Sequence, residues 1–232
     1  RVFVASVDNH TLHALDEHTG ALLWSYTASG RVDSPPSIYK GRVIFGCADG
    51  WVYCLRAADG VLIWRFQAAP QNLRLVGLEQ IESVWPLHGS VLVVNDTVYC
   101  VAGRSMFLDG GLRFLQLDPA TGNKLNEVIL DQLDPNTGMN LQVHIKGFNM
   151  PVALPDILSS DGEYIYMYSQ RFDLQGNRQQ IPPYSQDPVE QAAYQYGTGM
   201  HLFSPAGFLD DNYMHRYYWV WGKSFSAGAY GW

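Results

Sequence analysis

Apolar and polar positions alternate along much of this chain with the period of two that a half-buried β-strand requires. Leu12-His-Ala14-Leu15-Asp16 and Val52-Tyr-Cys54-Leu55-Arg56 both follow this pattern. Each comes after another strand that ends in a short turn, Arg1 through Asp8-Asn9 in one case and Arg42 through Asp49-Gly50 in the other. A second turn, Thr19-Gly20 or Asp59-Gly60, then leads into Leu22-Leu-Trp24-Ser-Tyr26 or Leu62-Ile-Trp64-Arg-Phe66. Ser34-Pro-Pro-Ser-Ile-Tyr-Lys-Gly41 adds an innermost strand to the second copy. The predicted unit is four antiparallel strands in about forty residues, and its repetition at that period marks a β-propeller blade.

The repeats occupy about 1–30, 31–66, 81–130, 150–180 and 200–232 of a single all-β domain. That gives about four blades and the start of another, part of a ring of about seven or eight. Ser83 to Val94 aligns with Ser34 to Val43 and opens the third repeat. Segments 67–80, 131–149 and 181–199 interrupt the repeats; the first lacks alternation and is compatible with a short helix. An open part-ring would expose a sheet face and strand edges, so the chain is expected to continue on both sides or to be closed by another copy or subunit. The expected partner is therefore a protein or the chain itself. The strand-like opening at Arg1 and the aromatic close at Trp232 carry the same expectation of a longer chain.

Composition narrows the function. Tyr, Phe and Trp are abundant at 14, 10 and 7, charged residues are few at 16%, and the formal charge is −7. With no basic run, a nucleic-acid or anionic-membrane partner is not expected. No apolar run reaches the length of a membrane span. Cys47, Cys54 and Cys100 lack zinc spacing; the first two flank the Asp49-Gly50 turn, which leaves open a disulfide across the hairpin or a pair of small buried hydrophobes.

Each repeated residue has a physical task. Gly20 supplies the positive φ of its turn, Asp16 and Thr19 bond the free amides, and Ala14 is small where sheets approach. Trp24 offers a flat face to the next blade with an indole N–H left for a carbonyl. Gly60 and Trp64 repeat this in the second copy, whereas the third keeps Asp118, Thr121 and Gly122 but has Asn126 in place of Trp. Ala14-Leu-Asp16-Glu-His-Thr19-Gly20-Ala-Leu-Leu-Trp24 resembles the tryptophan-docking motif of quinoprotein-type propellers. Glu82 to Val93, Val101 to Arg113, Met150 to Gly162 and His201 to Asp211 resemble bacterial PQQ-binding-like propeller proteins labelled BamB-like.

The resemblance implies a periplasmic or cell-envelope location. It implies either a non-catalytic binding and assembly scaffold or a PQQ-dependent oxidoreductase fragment with calcium. No Cys-Cys pair is present to form the vicinal disulfide of quinoprotein dehydrogenases, so the scaffold reading leads and no cofactor is expected. A carbohydrate-binding propeller is a third reading, from the aromatic run Tyr213 to Trp232.

Candidate site residues are few. Asp131, Asp134 and Asn136 surround Gly138 somewhat like a calcium loop, without the closing Glu of an EF-hand; a solvated polar loop is the plainer reading. Asp210, Asp211, His215 and Arg216 form the densest polar group among the aromatics, as a ligand site or as a charged loop. Arg104, Arg113 and Arg171 near strand ends are placed to reach a channel mouth, and nothing in the sequence selects among them.

Overall fold

The computed structural model describes residues 1–77, 80–134, 136–140, 157–167 and 170–179, and the backbone of strands at 202–203, 218–221 and 224–228. Six antiparallel sheets follow one another in chain order, with no helix among the described residues. The first holds β1 (Val2–Ser6), β2 (Thr11–Leu15) and β3 (Leu22–Thr27). The second, four-stranded, holds β4 (Ser37–Tyr39), β5 (Arg42–Gly46), β6 (Trp51–Arg56) and β7 (Leu62–Gln67).

A separate hairpin comes next, β8 (Arg74–Gly77) with β9 (Gln80–Ser83). The next four-stranded sheet runs β10 (Leu92–Val94), β11 (Thr97–Ala102), β12 (Leu112–Leu117) and β13 (Lys124–Leu130). Two three-stranded sheets complete the order: β14 (Ser159–Ser160), β15 (Ile165–Met167) and β16 (Gln170–Phe172), then β17 (Leu202–Phe203), β18 (Tyr218–Trp221) and β19 (Ser224–Gly228). In each sheet the spatial order is the chain order, the meander of a propeller blade.

The core lies between sheets, because alternate side chains of one blade reach the next. Ile44, Val52 and Cys54 of the β4–β7 sheet pack with Val98, Cys100 and Leu115 of the β10–β13 sheet and with Leu87 ahead of it. Val101, Phe114 and Leu112 then pack with Ile165, Met167 and Phe172 of the β14–β16 sheet.

Tryptophans join the blades at their outer edges. The Trp24 indole donates to the Ala57 carbonyl at 3.1 Å and covers Gly60; the Trp64 indole donates to the Pro119 carbonyl at 3.1 Å and covers Gly122. Asn126 holds the same register, opposite Gln116 as Trp24 is opposite Ala14 and Trp64 opposite Cys54. Its amide donates to the Gln175 carbonyl at 2.8 Å, so the bond across blades survives without the ring.

Three sequence expectations change. The 67–80 insertion carries strands and not a helix: β7 runs to Gln67, and β8 and β9 pair from Arg74↔Ser83 to Gly77↔Gln80. Cys47 and Cys54 do not face each other, since Cys54 pairs with Ile44; all three thiols are free and buried. The alignment of Ser34 with Ser83 also shifts. The turn after β4, Lys40-Gly41, corresponds to Asn95-Asp96 after β10, which places Ser34 level with Gly89 and Asp33 level with His88.

A polar cluster at the loop end of the blades

At one end of the blades, loops around the β4–β7 and β10–β13 sheets are laced together by their backbones. The Arg31 carbonyl accepts from the Ala48 N–H at 2.8 Å, and the Ala48 carbonyl accepts from Ser83 at 2.8 Å. The Cys47 carbonyl accepts from Leu87 at 3.1 Å and the Pro86 carbonyl from Gly103 at 2.9 Å. Gly30 allows this approach, because a β-carbon there would stand 2.8 Å from the Asp49 nitrogen. These bonds fix the loops that carry Arg31, Asp33, Glu82, His88 and Arg104.

Their side chains form one chain of alternating charge. Arg104 donates to Glu82 Oε1 at 2.6 Å and to the Ser83 carbonyl at 3.1 Å. Arg31 donates to Glu82 Oε2 at 2.9 Å, and its Nε lies 3.5 Å from Asp33. Asp33 Oδ2 is 2.5 Å from His88 Nδ1. Glu82 is buried, its side chain 6% exposed, and Arg31 nearly so. Buried charges persist only when paired, because each loses several kcal/mol of hydration on leaving water. Beside the chain, buried Asp49 accepts from the Trp51 N–H and the Tyr53 hydroxyl, at 3.0 and 2.6 Å. Burial, with the bond to Asp49 and its charge, pushes the Tyr53 phenol up.

The hairpin β8–β9 lies over this cluster. Leu75, Gly77, Gln80 and Glu82 face inward, and Gln80 Oε1 lies 2.9 Å from His10 Nε2 in the turn between β1 and β2. Outward stand Val76 and Ile81, paired across the strands and 76% and 59% exposed, with Leu73 beside them at 50%.

The sequence candidates fall elsewhere, except Arg104. Asp134 accepts from the amides of Asn136 and Thr137 at 2.8 and 3.3 Å, its N–H donates to the Met139 carbonyl, and its carbonyl accepts from Gly138. These are the bonds Asp118 makes with Thr121, Asn123 and Gly122, so Asp134, Thr137 and Gly138 make the turn bonds of another Asp-x-x-Thr-Gly unit. Asp131 accepts from the Leu133 amide. Among the described residues no three His, Cys, Asp or Glu side chains gather as metal ligands. Asp210, Asp211, His215 and Arg216 lie outside the described residues. Arg113 pairs with Glu127 at 3.2 Å, and Arg171 lies over the Tyr164 ring at 4.5 Å.

The cluster itself escaped the sequence pattern, because its members come from five places in two blades and an insertion. One signal was available: with charged residues at 16%, Arg31, Asp33 and Glu82 all stand just ahead of a Pro-containing run into an inner strand.

Chain-ordered four-stranded sheets, joined edge to edge through tryptophans, define a β-propeller of the PQQ-like repeat class. The profile of the family described as outer membrane protein assembly factor BamB matches residues 1–144, and the chain belongs to that family. A search of curated proteins finds no match. A quinohemoprotein alcohol dehydrogenase from Pseudomonas putida is similar in structure, with a TM-score of 0.54 at 18% identity over 73% of this chain and 26% of its own. BamB from Moraxella catarrhalis superposes with a TM-score of 0.43 at 16% identity, over 77% of this chain and 59% of its own. This chain thus spans about a quarter of the dehydrogenase and under two thirds of that BamB. At 18% identity the likeness to the dehydrogenase shows the fold alone.

Proposed function

We propose that this chain is a non-catalytic, extracytoplasmic propeller segment, periplasmic or in the cell envelope, that serves as a binding and assembly scaffold and meets a protein partner at its loop end. The observation that carries this is the outward face of the β8–β9 hairpin. An inserted hairpin that turns Gln80 and Glu82 inward and presents Leu73, Val76 and Ile81 to solvent beside Arg74 departs from ordinary strand patterning, and such exposed apolar surface marks an interaction site. The match to an assembly-factor family agrees with it. The tryptophan and asparagine bonds between blades then act as the docking that keeps the scaffold rigid.

A quinone with calcium does not fit this loop end. Its carboxylates, Asp33 and Glu82, already face histidine and arginine, so among the described residues it offers no unpaired carboxylate for the calcium that accompanies the quinone.

Two measurements test the proposal. A photo-crosslinking residue at Val76, in the full-length protein in its own cells, is expected to give adducts of one defined mass that are absent with the same probe at exposed Leu22 on β3. Identical adducts at both positions, or none at Val76, would overturn it. Addition of PQQ and calcium to the purified protein is expected to leave no bound quinone absorbance and no dye reduction; dye turnover would establish the oxidoreductase reading instead.

A further inference from the structure

Glu82 is held as a ligand would be held. Two arginines from different blades, Arg31 ahead of β4 and Arg104 after β11, converge on its carboxylate, each taking one oxygen at 2.9 and 2.6 Å. The carboxylate comes from neither blade but from the inserted hairpin. Convergent guanidinium groups in a sheltered site are the usual device for recognising carboxylate or phosphate.

The fit is incomplete. Arg104 Nε is buried and has no hydrogen-bond partner, and Arg31 Nε has only Asp33 at 3.5 Å, so Glu82 engages each fork through one nitrogen. A buried donor without a good acceptor is costly, and the poorly filled nitrogens on both forks leave a place for an anion that offers more oxygens. Little else holds the hairpin. Its outward apolar side is exposed, and its inner side is fastened by Glu82, by Gln80 to His10, by Arg104 to the Ser83 carbonyl and by the Ser83 N–H to Ala48. Gly77 lies directly over the carboxylate, where a β-carbon would collide with Glu82 Oε1.

The geometry points to a two-arginine oxyanion site, at Arg31 and Arg104, whose ligand position Glu82 fills from within. The hairpin β8–β9 is then an autoinhibitory strap that lifts when a small carboxylate or phosphate compound takes its place. A ligand that enters only the lifted state binds with its intrinsic affinity reduced by the population of that state. Loosening the strap therefore raises affinity without any new contact.

Gly77→Ala tests this without removing a charge, because the added methyl meets the far end of a flexible side chain and displaces the carboxylate. Wild type and Gly77→Ala are titrated by calorimetry with citrate, with inorganic phosphate and with chloride at matched ionic strength. Amide exchange at residues 74–77 and 80–83 is followed alongside. Citrate or phosphate is expected to bind Gly77→Ala about tenfold more tightly or better and to speed hairpin exchange while β5, β6, β11 and β12 stay protected. Whichever of the two binds more tightly identifies the anion. Arg104→Met is expected to abolish the heat in both backgrounds. Binding equal to that of chloride, binding unchanged by Gly77→Ala, or tight binding with no change in hairpin exchange would each overturn the proposal. Should Gly77→Ala fail to fold, hairpin exchange of the wild type with and without citrate decides alone, and no acceleration overturns it.

Discussion

The indole of Trp64 lies on Gly122, so that a β-carbon at that glycine would stand 2.6 Å from the ring. The same glycine has a φ of +74°, which places its backbone where L side chains are strained. Gly122→Ala therefore meets two penalties, about 1–2 kcal/mol for the backbone and about 1–3 kcal/mol for displacing the ring. Gly20→Ala meets only the first, because nothing lies within 4 Å of its missing β-carbon at φ +70°. Urea unfolding of the two variants is expected to show Gly122→Ala clearly the less stable; equal midpoints would show that the ring moves aside freely.

The bonds between blades are expected to differ in strength with burial. Trp64→Phe keeps the ring face but leaves the Pro119 carbonyl without its buried donor, at about 1–3 kcal/mol. Asn126→Ala removes an exposed bond to Gln175, worth about 0.5 kcal/mol. Calorimetric melting checks the order, and a larger loss at Asn126 would contradict it.

Asp118 and Asp16 share a titration behaviour. At Asp118 the Thr121 amide, the Thr121 hydroxyl and the Ala120 amide hold the carboxyl below its ordinary value. At Asp16 the Thr19 amide, the Thr19 hydroxyl and the His18 amide do the same. A carboxyl lowered in the folded state contributes stability in full above about pH 4, and that contribution disappears as pH falls through the lowered value. Carbon-detected NMR titration is expected to place both below a free aspartate. Asp118→Asn is expected to flatten the loss of stability in acid and leave the neutral-to-alkaline limb unchanged.

Thiol chemistry gives a fourth expectation. Burial pushes Cys54 and Cys100 up to about 12 and raises Cys47 further, with the Asp49 charge adding to it. Native protein at pH 8 is expected to resist maleimide, while unfolded protein takes up three labels without prior reduction. Two missing labels would reveal a disulfide.

The hairpin turns and the blade period were legible because each depends on nearby residues with a conformational task, as Gly20 and Asp16 show. Asn126 was not, because a donor that swaps a ring for an amide keeps the bond and loses the pattern. The paired strands β8 and β9 were missed for a related reason: Val76 and Ile81 face water, so the inside-out alternation hid them. The cluster on Glu82 depends on loops brought together across blades, and no local period records that.

The bonds from Trp24, Trp64 and Asn126 all point one way, to carbonyls 33, 55 and 49 residues further along the chain. The outer strand of each of these three blades is thus secured by a turn that the ribosome has yet to deliver when that strand emerges. Synthesis from the N-terminus therefore assembles this protein in sequence, each blade locked by its successor. A premature stop leaves the last completed blade with its outer strand unfastened, the natural foothold for a protease.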